Sequence, residues 1–415
     1  MLSSSYNEKR SHFYSRLENF WPDLYGEEYA LYDIRLEDSA EIKKIRLASA
    51  RIGHIFFKVC RLLREVPDTT LLEMGYPAET LPFLRLKTLN SESVIARLDL
   101  IRHQDSYKCI EINADTPTFI KELYHINGKV CKEFGVEDLN EGLEKLLGES
   151  VYQSVIKAAR QPKEKNPTIV FTAHEDSLED RETVLYLKKI SGLPSRFVPL
   201  HKLQIEKDKG LYDEFGRKID ILYRQTVPIE NLISDEDSEG NKIGLWLLDL
   251  VQSGKLAVVN PPSAFLLQNK AVQAVIWGLH QENHLFFTEK EHGWIEEYFL
   301  PTFLEEDYFF KSKKSYVKKP SFGREGDTVE IFTGTGKRVD ADPQTTYKSF
   351  QAVYQEYIEL PSVTFTSEKG VQDGRLLIGC FLLNGKPAAV GFRVGGQITN
   401  NLSYYLPAGL KRGEQ

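Results

Sequence analysis

Three oxygen-bearing side chains and one guanidinium on two short alternating runs are of the types that could hold a hard cation beside an anion. Residues 94–101 (VIARLDLI) and 108–113 (KCIEIN) alternate apolar and polar positions, and the polar connection 103–106 joins them as a β-hairpin. Leu98 and Leu100 point one way, Arg97 and Asp99 the other; likewise Ile110 and Ile112 oppose Glu111 and Asn113. If both apolar faces join one core, Arg97, Asp99, Glu111 and Asn113 meet on the opposite face. Two carboxylates and an amide carbonyl suit Mg²⁺, which keeps waters and takes further oxygens from phosphates. A guanidinium beside them would neutralise an anionic substrate or a transferring phosphoryl group. The same four residues also suit the polar outer face of a half-solvated hairpin, with Arg97 in an ordinary salt bridge. The polar turn that follows, 114–118 (ADTPT), contains Thr116 and lies at a strand end, where open sheets bind ligands.

A second group lies at 316–326 (YVKKPSFGREG). A strand, a Gly-rich connection and a second strand describe a flap that can lay backbone N–H groups over phosphates and exclude water. Lys311, Lys313, Lys314, Lys318 and Lys319 make this the most basic stretch of the chain, and alternation turns only one of Lys318 and Lys319 inward. A charged, solvated strand edge would look the same. Weaker signals resolve to ordinary structure. Gly334-Thr335-Gly336-Lys337 lacks the full P-loop pattern and reads as a hairpin turn. His280 and His284 sit near a helix end without a third ligand, and Tyr308-Phe309-Phe310 reads as core packing.

The elements that must position these groups are mixed. The chain has 415 residues and a net charge of −7, which argues against a general nucleic-acid coat. Its 20 Tyr and 23 Phe exclude a solvated, disordered chain. Cys60, Cys109, Cys131 and Cys380 are far apart, as in a reduced, cytoplasmic protein. No stretch reaches the ~20 apolar residues of a membrane span, and the N-terminus carries no signal-peptide core. Residues 1–90 read as a mostly helical region, with a helix over 42–63. Residues 91–255 hold the hairpin and an α/β region: a helix at 139–159, a linker at 162–167, a strand at 168–172, a helix at 179–190 and strands at 195–198 and 219–223. A solvated loop covers 234–242. Residues 256–407 begin with a helix at 265–280 carrying Asn269 and Lys270 near its start. They continue as strands, the last two joined by an Asn384-Gly385 turn. Residues 408–415 read as a tail.

Seven ordered segments resemble the glutathionylspermidine synthase family of ATP-grasp carboxylate–amine ligases. They are RLD (97–99), EINADTPT (111–118), SLEDRETVLYL (177–187), LQNKAVQAVIW (267–277), YVKKPSFGREG (316–326), YQEYIELP (354–361) and GFRVGGQITNNLSYYLP (391–407). The resemblance spans residues 12–407 as one module. It implies an α+β ATP-grasp fold with mixed and antiparallel sheets, a helical N-terminal region and an α/β substrate-binding subdomain. It implies ATP and Mg²⁺ as cofactors. By this resemblance Asp99, Glu111 and Asn113 are the Mg²⁺ ligands, and Arg97 touches both the nucleotide phosphates and the substrate carboxylate. Lys270 and Lys319 hold phosphates under a lid that includes Glu325 and Gly326. The segment Gln355, Glu356, Tyr357 and Ile358 reads the adenine, and Arg393 stabilises the transferred phosphoryl. Thr116, Glu179, Asp180 and Arg224 fall where the family binds its peptide substrate. The implied reaction joins a carboxylate, as on a glutathione-like peptide, to an amine, as on a polyamine such as spermidine, through an acyl phosphate. Two departures stand out. The N-terminal amidase half of the best-known members is missing, so amide hydrolysis is not expected. Leu178 stands where the peptide-binding motif of those members often has an acidic residue, which leaves the ATP chemistry untouched but opens the substrates to an amide ligase with unrelated ones such as amino acids; a nucleotide binder without ligase activity is the alternative from a different class. Small-molecule partners are expected, with no nucleic acid or membrane, for a monomer or homodimer.

Overall fold

The computed structural model describes residues 2–162, 164–225 and 227–412. Its centre is the hairpin. Strands Ile95–His103 and Ser106–Asn113 pair antiparallel, with Asp99 opposite Glu111 and Arg97 opposite Asn113. The pair continues through Gly370–Leu383 and Lys386–Gly395 to Tyr404–Leu406, and Ser362–Ser367 adds to the other half of the long Gly370–Leu383 strand, completing a six-stranded antiparallel sheet. Asn384 and Gly385, both at positive φ (49° and 82°), make the tight turn between the two longest strands.

One face of this sheet is sealed by the helix Ser39–Leu63. Its buried residues Ile42, Ile45, Ser49, Ile52, Phe56, Val59 and Leu63 recur every three or four positions and form one stripe against the sheet. Each large apolar side chain buried there contributes about 1.5–3 kcal/mol. Gly53 allows the closest approach, since a Cβ there would lie 2.7 Å from Leu382 Cδ1. The opposite face of the sheet is left to line a cleft.

A second, five-stranded antiparallel sheet, ordered Thr302–Phe303, Ala352–Glu356, Tyr316–Pro320, Glu330–Phe332 and Arg338–Ala341, closes over that cleft. A third unit is a parallel sheet, Ala257–Val259, Ile221–Arg224, Ile169–Thr172 and Arg196–Phe197, with the helices Leu143–Ala158 and Leu178–Ser191 packed on each other beside it. Phe171 and Tyr223 stack across it with centroids 4.6 Å apart. The architecture is a mixed α+β fold. Among the described residues no helix is long and apolar enough to cross a membrane.

Several elements differ from the sequence reading. Residues 265–280 are two helices, Pro262–Gln268 and Ala271–Gln281, broken at Asn269-Lys270; the Asn269 side chain accepts the N–H of Ala271, the first residue of the second helix, at 2.7 Å. The 219–223 strand is split, because Asp220 turns back to accept the Thr168 N–H. Within the mostly helical N-terminal region, a small hairpin, Asp23–Leu24 with Glu27–Glu28, and the strand Arg35–Glu37 lie between the helices. The tail is partly a strand. Ala408–Leu410 pairs parallel with Arg35–Glu37 and antiparallel with Glu137–Asp138, tying the chain's end to its beginning. Lys163 of the 162–167 linker and residues 413–415 of the tail lie outside the described residues.

Candidate active site

The cleft lies between the free face of the central sheet and the second sheet. A β-bulge shapes its floor. Asp99 faces Glu111 but Leu100 faces Cys109, so Ile110 is the extra residue. The bulge overturns the simple alternation read from the sequence: Tyr107, Cys109 and Ile112 enter the core, while Ile110 joins Glu111 and Asn113 in the cleft wall. Arg97 and Asp99 are each only 5% exposed, which excludes a half-solvated outer face.

At the floor Arg97 donates bidentately to Asp99, at 2.6 and 2.9 Å, and also to the Thr118 carbonyl at 3.0 Å. Asn113 Nδ2 donates to Asp99 Oδ2 at 3.2 Å and Glu111 Oε1 at 3.4 Å. Two lysines approach from the roof. The helix break places Lys270 with Nζ 3.4 Å from Glu111 and 2.9 Å from the Gly323 carbonyl. Alternation on Tyr316–Pro320 turns Lys319 inward and leaves Lys318 at the surface by Glu330. Lys319 Nζ donates to Gln355 Oε1 at 2.8 Å. Burial alone would raise Glu111, but Lys270, Lys319 and Arg97 outweigh it and hold the carboxyl at about 2. Burial pulls Lys319 down to about 8, against the attraction of Glu111.

Among the described residues no three Asp, Glu, His or Cys side chains converge as a self-sufficient metal cage. Asp99 and Glu111 could supply part of a Mg²⁺ shell, joined by the Asn113 carbonyl if that amide were flipped from its present Nδ2-inward orientation, with the rest left to water and phosphate oxygens. Beside the lysines an apolar slot formed by Ile110, Leu300, Val317, Ile358 and Leu377 runs between the sheets. Gln355, Glu356 and Tyr357 line its edge. The Gln355 side chain itself is spent on Lys319, Gln273 and Thr302, and Glu356 holds Lys314 at 2.8 Å. The donor set fits a flat apolar ring with a polyanionic tail.

The other end of the cleft is acidic. Glu179 and Asp180 open the helix Leu178–Ser191, where Ser177 caps by accepting the Asp180 N–H. Burial, Glu122, Asp180 and Glu325 together push Glu179 up to about 8, and burial also raises Asp180. Arg393 lines the wall between the two ends; its Nη2 donates to the Asn400 carbonyl at 3.0 Å, and its buried Nε has no hydrogen-bond partner. Glu325 and Gly326 belong to the flap, both at positive φ.

Thus the structure brings together Arg97, Asp99, Glu111, Asn113, Thr116, Glu179, Lys270, Lys319, Glu325, Gly326, residues 355–358 and Arg393 around one cavity. Asp180 sits behind Glu179, and Arg224 is elsewhere. Its guanidinium is 2% exposed and clamps Asp115 at 2.6 and 3.0 Å, so it holds the 114–118 loop rather than facing the cavity. Gln268, Gln225 and Asn260 grip the same loop through its backbone. The sequence reading missed Arg324 and Tyr29. Arg324 hydrogen-bonds Thr116, latching the flap onto that loop, and lay in plain view in the GREG segment. Tyr29 comes from a region that read as helical and gave no signal.

With this geometry in place, the comparisons with known proteins have a clear reading. The family model described as glutathionylspermidine synthase preATP-grasp matches residues 8–411. The chain belongs to this family. A Haemophilus influenzae protein provisionally named an acid–amine ligase is 26% identical over 327 residues, covering 75% of this chain and 73% of its own. A solved structure, a glutathione synthetase-like effector from Globodera pallida without ligand, superposes with a TM-score of 0.58 at 12% identity, covering 99% of this chain and 97% of that one. That likeness carries the glutathione synthetase-like fold to this family member.

Proposed function

We propose that the protein is an ATP- and Mg²⁺-dependent ligase of ATP-grasp type that forms an amide between a carboxylate and an amine through an acyl phosphate. The observation that carries this is the polarity of the cleft: an apolar slot and buried lysines at one end, carboxylates at the other, with Arg97 and Arg393 between. The family membership and the name of the Haemophilus relative support the same reaction class. In this reading the slot takes the adenine. Lys270 and Lys319 would hold the phosphates, and Asp99, Glu111 and Asn113 would hold the Mg²⁺ beside them. The metal supplies charge neutralisation on the phosphates. Arg97, already paired to Asp99, orients the acid's carboxylate, and Arg393 meets the charge that spreads over the transferring phosphoryl. The flap, latched by Arg324 to Thr116, keeps water from the acyl phosphate. The carboxylates at the far end attract a cationic amine. A short peptide acid and a polyamine-like amine are the proposed substrates. The four unpaired, buried cysteines suit a reducing compartment, the cytoplasm.

The test is phosphate release from Mg-ATP against a matrix of carboxylates and amines, with mass spectrometry of positive wells. The expected result is a signal that needs both partners and a product one water lighter than their sum. Amino acids in the matrix separate peptide from amino-acid ligation. Nucleotide binding without turnover in any well would contradict the ligase.

A further inference from the structure

The amine arrives as an ammonium at neutral pH and cannot attack until it loses a proton. One buried carboxylate near the cleft has no role so far. Glu122 opens a single π-helical turn, Glu122–Ile126, behind the acidic end of the cavity, and its side chain is fully buried. Its Oε1 accepts the Tyr29 hydroxyl at 2.7 Å, and its Oε2 has no hydrogen-bond partner. Tyr29 itself forms part of the cavity wall, beside Arg97, Glu179 and Arg393.

Besides the Tyr29 hydroxyl, Glu122 is compensated by its own backbone N–H, yet burial still outweighs these and the nearby cations. The cations it feels are Arg393 and Lys121. Lys121 is committed to the Asn19 carbonyl and the Trp21 ring, and Arg393 to the Asn400 carbonyl. Tyr405, packed against the same turn, donates to the Glu122 backbone carbonyl, not to its carboxylate, and the Glu179 carboxyl interacts with Glu122 as a like charge. A buried carboxylate with one bare oxygen is costly, which favours a role over mere structure. Burial raises Glu122 from its ordinary value, the direction that makes a carboxylate a better proton acceptor.

We propose that Tyr29 and Glu122 form a proton relay that deprotonates the incoming ammonium; the inference rests on the ligase reading above. The amine nitrogen gives one proton to Tyr29 Oη as the Tyr29 hydroxyl proton passes to Glu122 Oε1. The freed lone pair attacks the acyl carbon, forming the C–N bond as the C–O bond to phosphate breaks. A second nitrogen proton leaves with the phosphate. Three ammonium protons thus become one amide N–H, one on Glu122 and one on phosphate, and charge is conserved.

The test uses Tyr29→Phe and Glu122→Gln with two nucleophiles: the amine substrate found above, and hydroxylamine, which is largely unprotonated at neutral pH and needs no base. The expected result is an about 100-fold fall in kcat for amide formation at pH 7 in either variant. Hydroxamate formation stays near wild type. The variants' amide rate then climbs about tenfold per pH unit toward the amine pKa. Equal loss with both nucleophiles, or no loss, would overturn the relay. Wild type that forms no hydroxamate with any acid would instead sink the ligase reading, and the relay with it.

Discussion

Arg224→Met separates a residue that holds the site from one that touches substrate. Arg224 and Asp115 have side chains 2% and 0% exposed and share two hydrogen bonds. Methionine leaves Asp115 charged in the interior, and breaking one partner of such a pair costs about 3–5 kcal/mol. At about 2.1 cal/mol/K of unfolding entropy per residue, 415 residues give about 0.9 kcal/mol/K, so a loss of about 4 kcal/mol lowers Tm by about 5 °C for cooperative unfolding. Calorimetry on wild type, Arg224→Met and Arg224→Met with Asp115→Asn is the assay. The single variant should lose that much, and the double variant should recover most of it, because the stranded charge is gone. An unchanged Tm with a raised KM for the acid would refute the positioning role and return Arg224 to the substrate.

Three further predictions follow from the geometry. Glu111→Gln removes one of two carboxylates at the floor, and Mn²⁺ titration followed by electron paramagnetic resonance should show at least about tenfold weaker metal binding in the presence of ATP, while thermal stability holds. Glu291 accepts from Lys58 at 2.6 Å and His54 at 2.7 Å and caps its own helix; burial opposes ionisation, but these partners hold it at about 2 against an ordinary 4.5. Because its folded pKa is depressed, its stabilisation of up to about 3 kcal/mol is complete above pH 4.5 and disappears as pH falls toward 2; urea melts of Glu291→Gln and wild type should converge there. Gly148→Ala would set a Cβ 2.4 Å from the Ile190 carbonyl oxygen, prising apart the two helices beside the parallel sheet, and should cost about 1–3 kcal/mol by the same melts.

What the sequence revealed and hid follows from the range of the forces involved. The hairpin was legible because period-two alternation is local: Leu98 and Leu100 had to face one way and Arg97 and Asp99 the other. The bulge at Ile110 was not, since inserting one residue changes no residue type and is decided by the partner strand. The break at Asn269-Lys270 was hidden because both flanking segments are apolar at helical spacing and only the Asn269 side-chain bond to Ala271 N–H marks it. Lys319 could be read as the inward one of a pair, but its partner Gln355 lies 36 residues away. Arg224 shows the limit of position-by-position transfer: a motif match fixes where a residue sits in the chain, not whether its side chain meets the cavity or, as here, Asp115. Tyr29 and Glu122 are separated by 93 residues and meet only through the fold.

The most direct test of the ligase chemistry is the fate of a labelled oxygen. With the acid substrate carrying oxygen-18 in its carboxylate, turnover with ATP and amine should place one labelled oxygen in each phosphate released, because the acyl phosphate C–O bond breaks when the amine attacks. Unlabelled phosphate, or label appearing in AMP, would contradict the acyl phosphate and the function built on it.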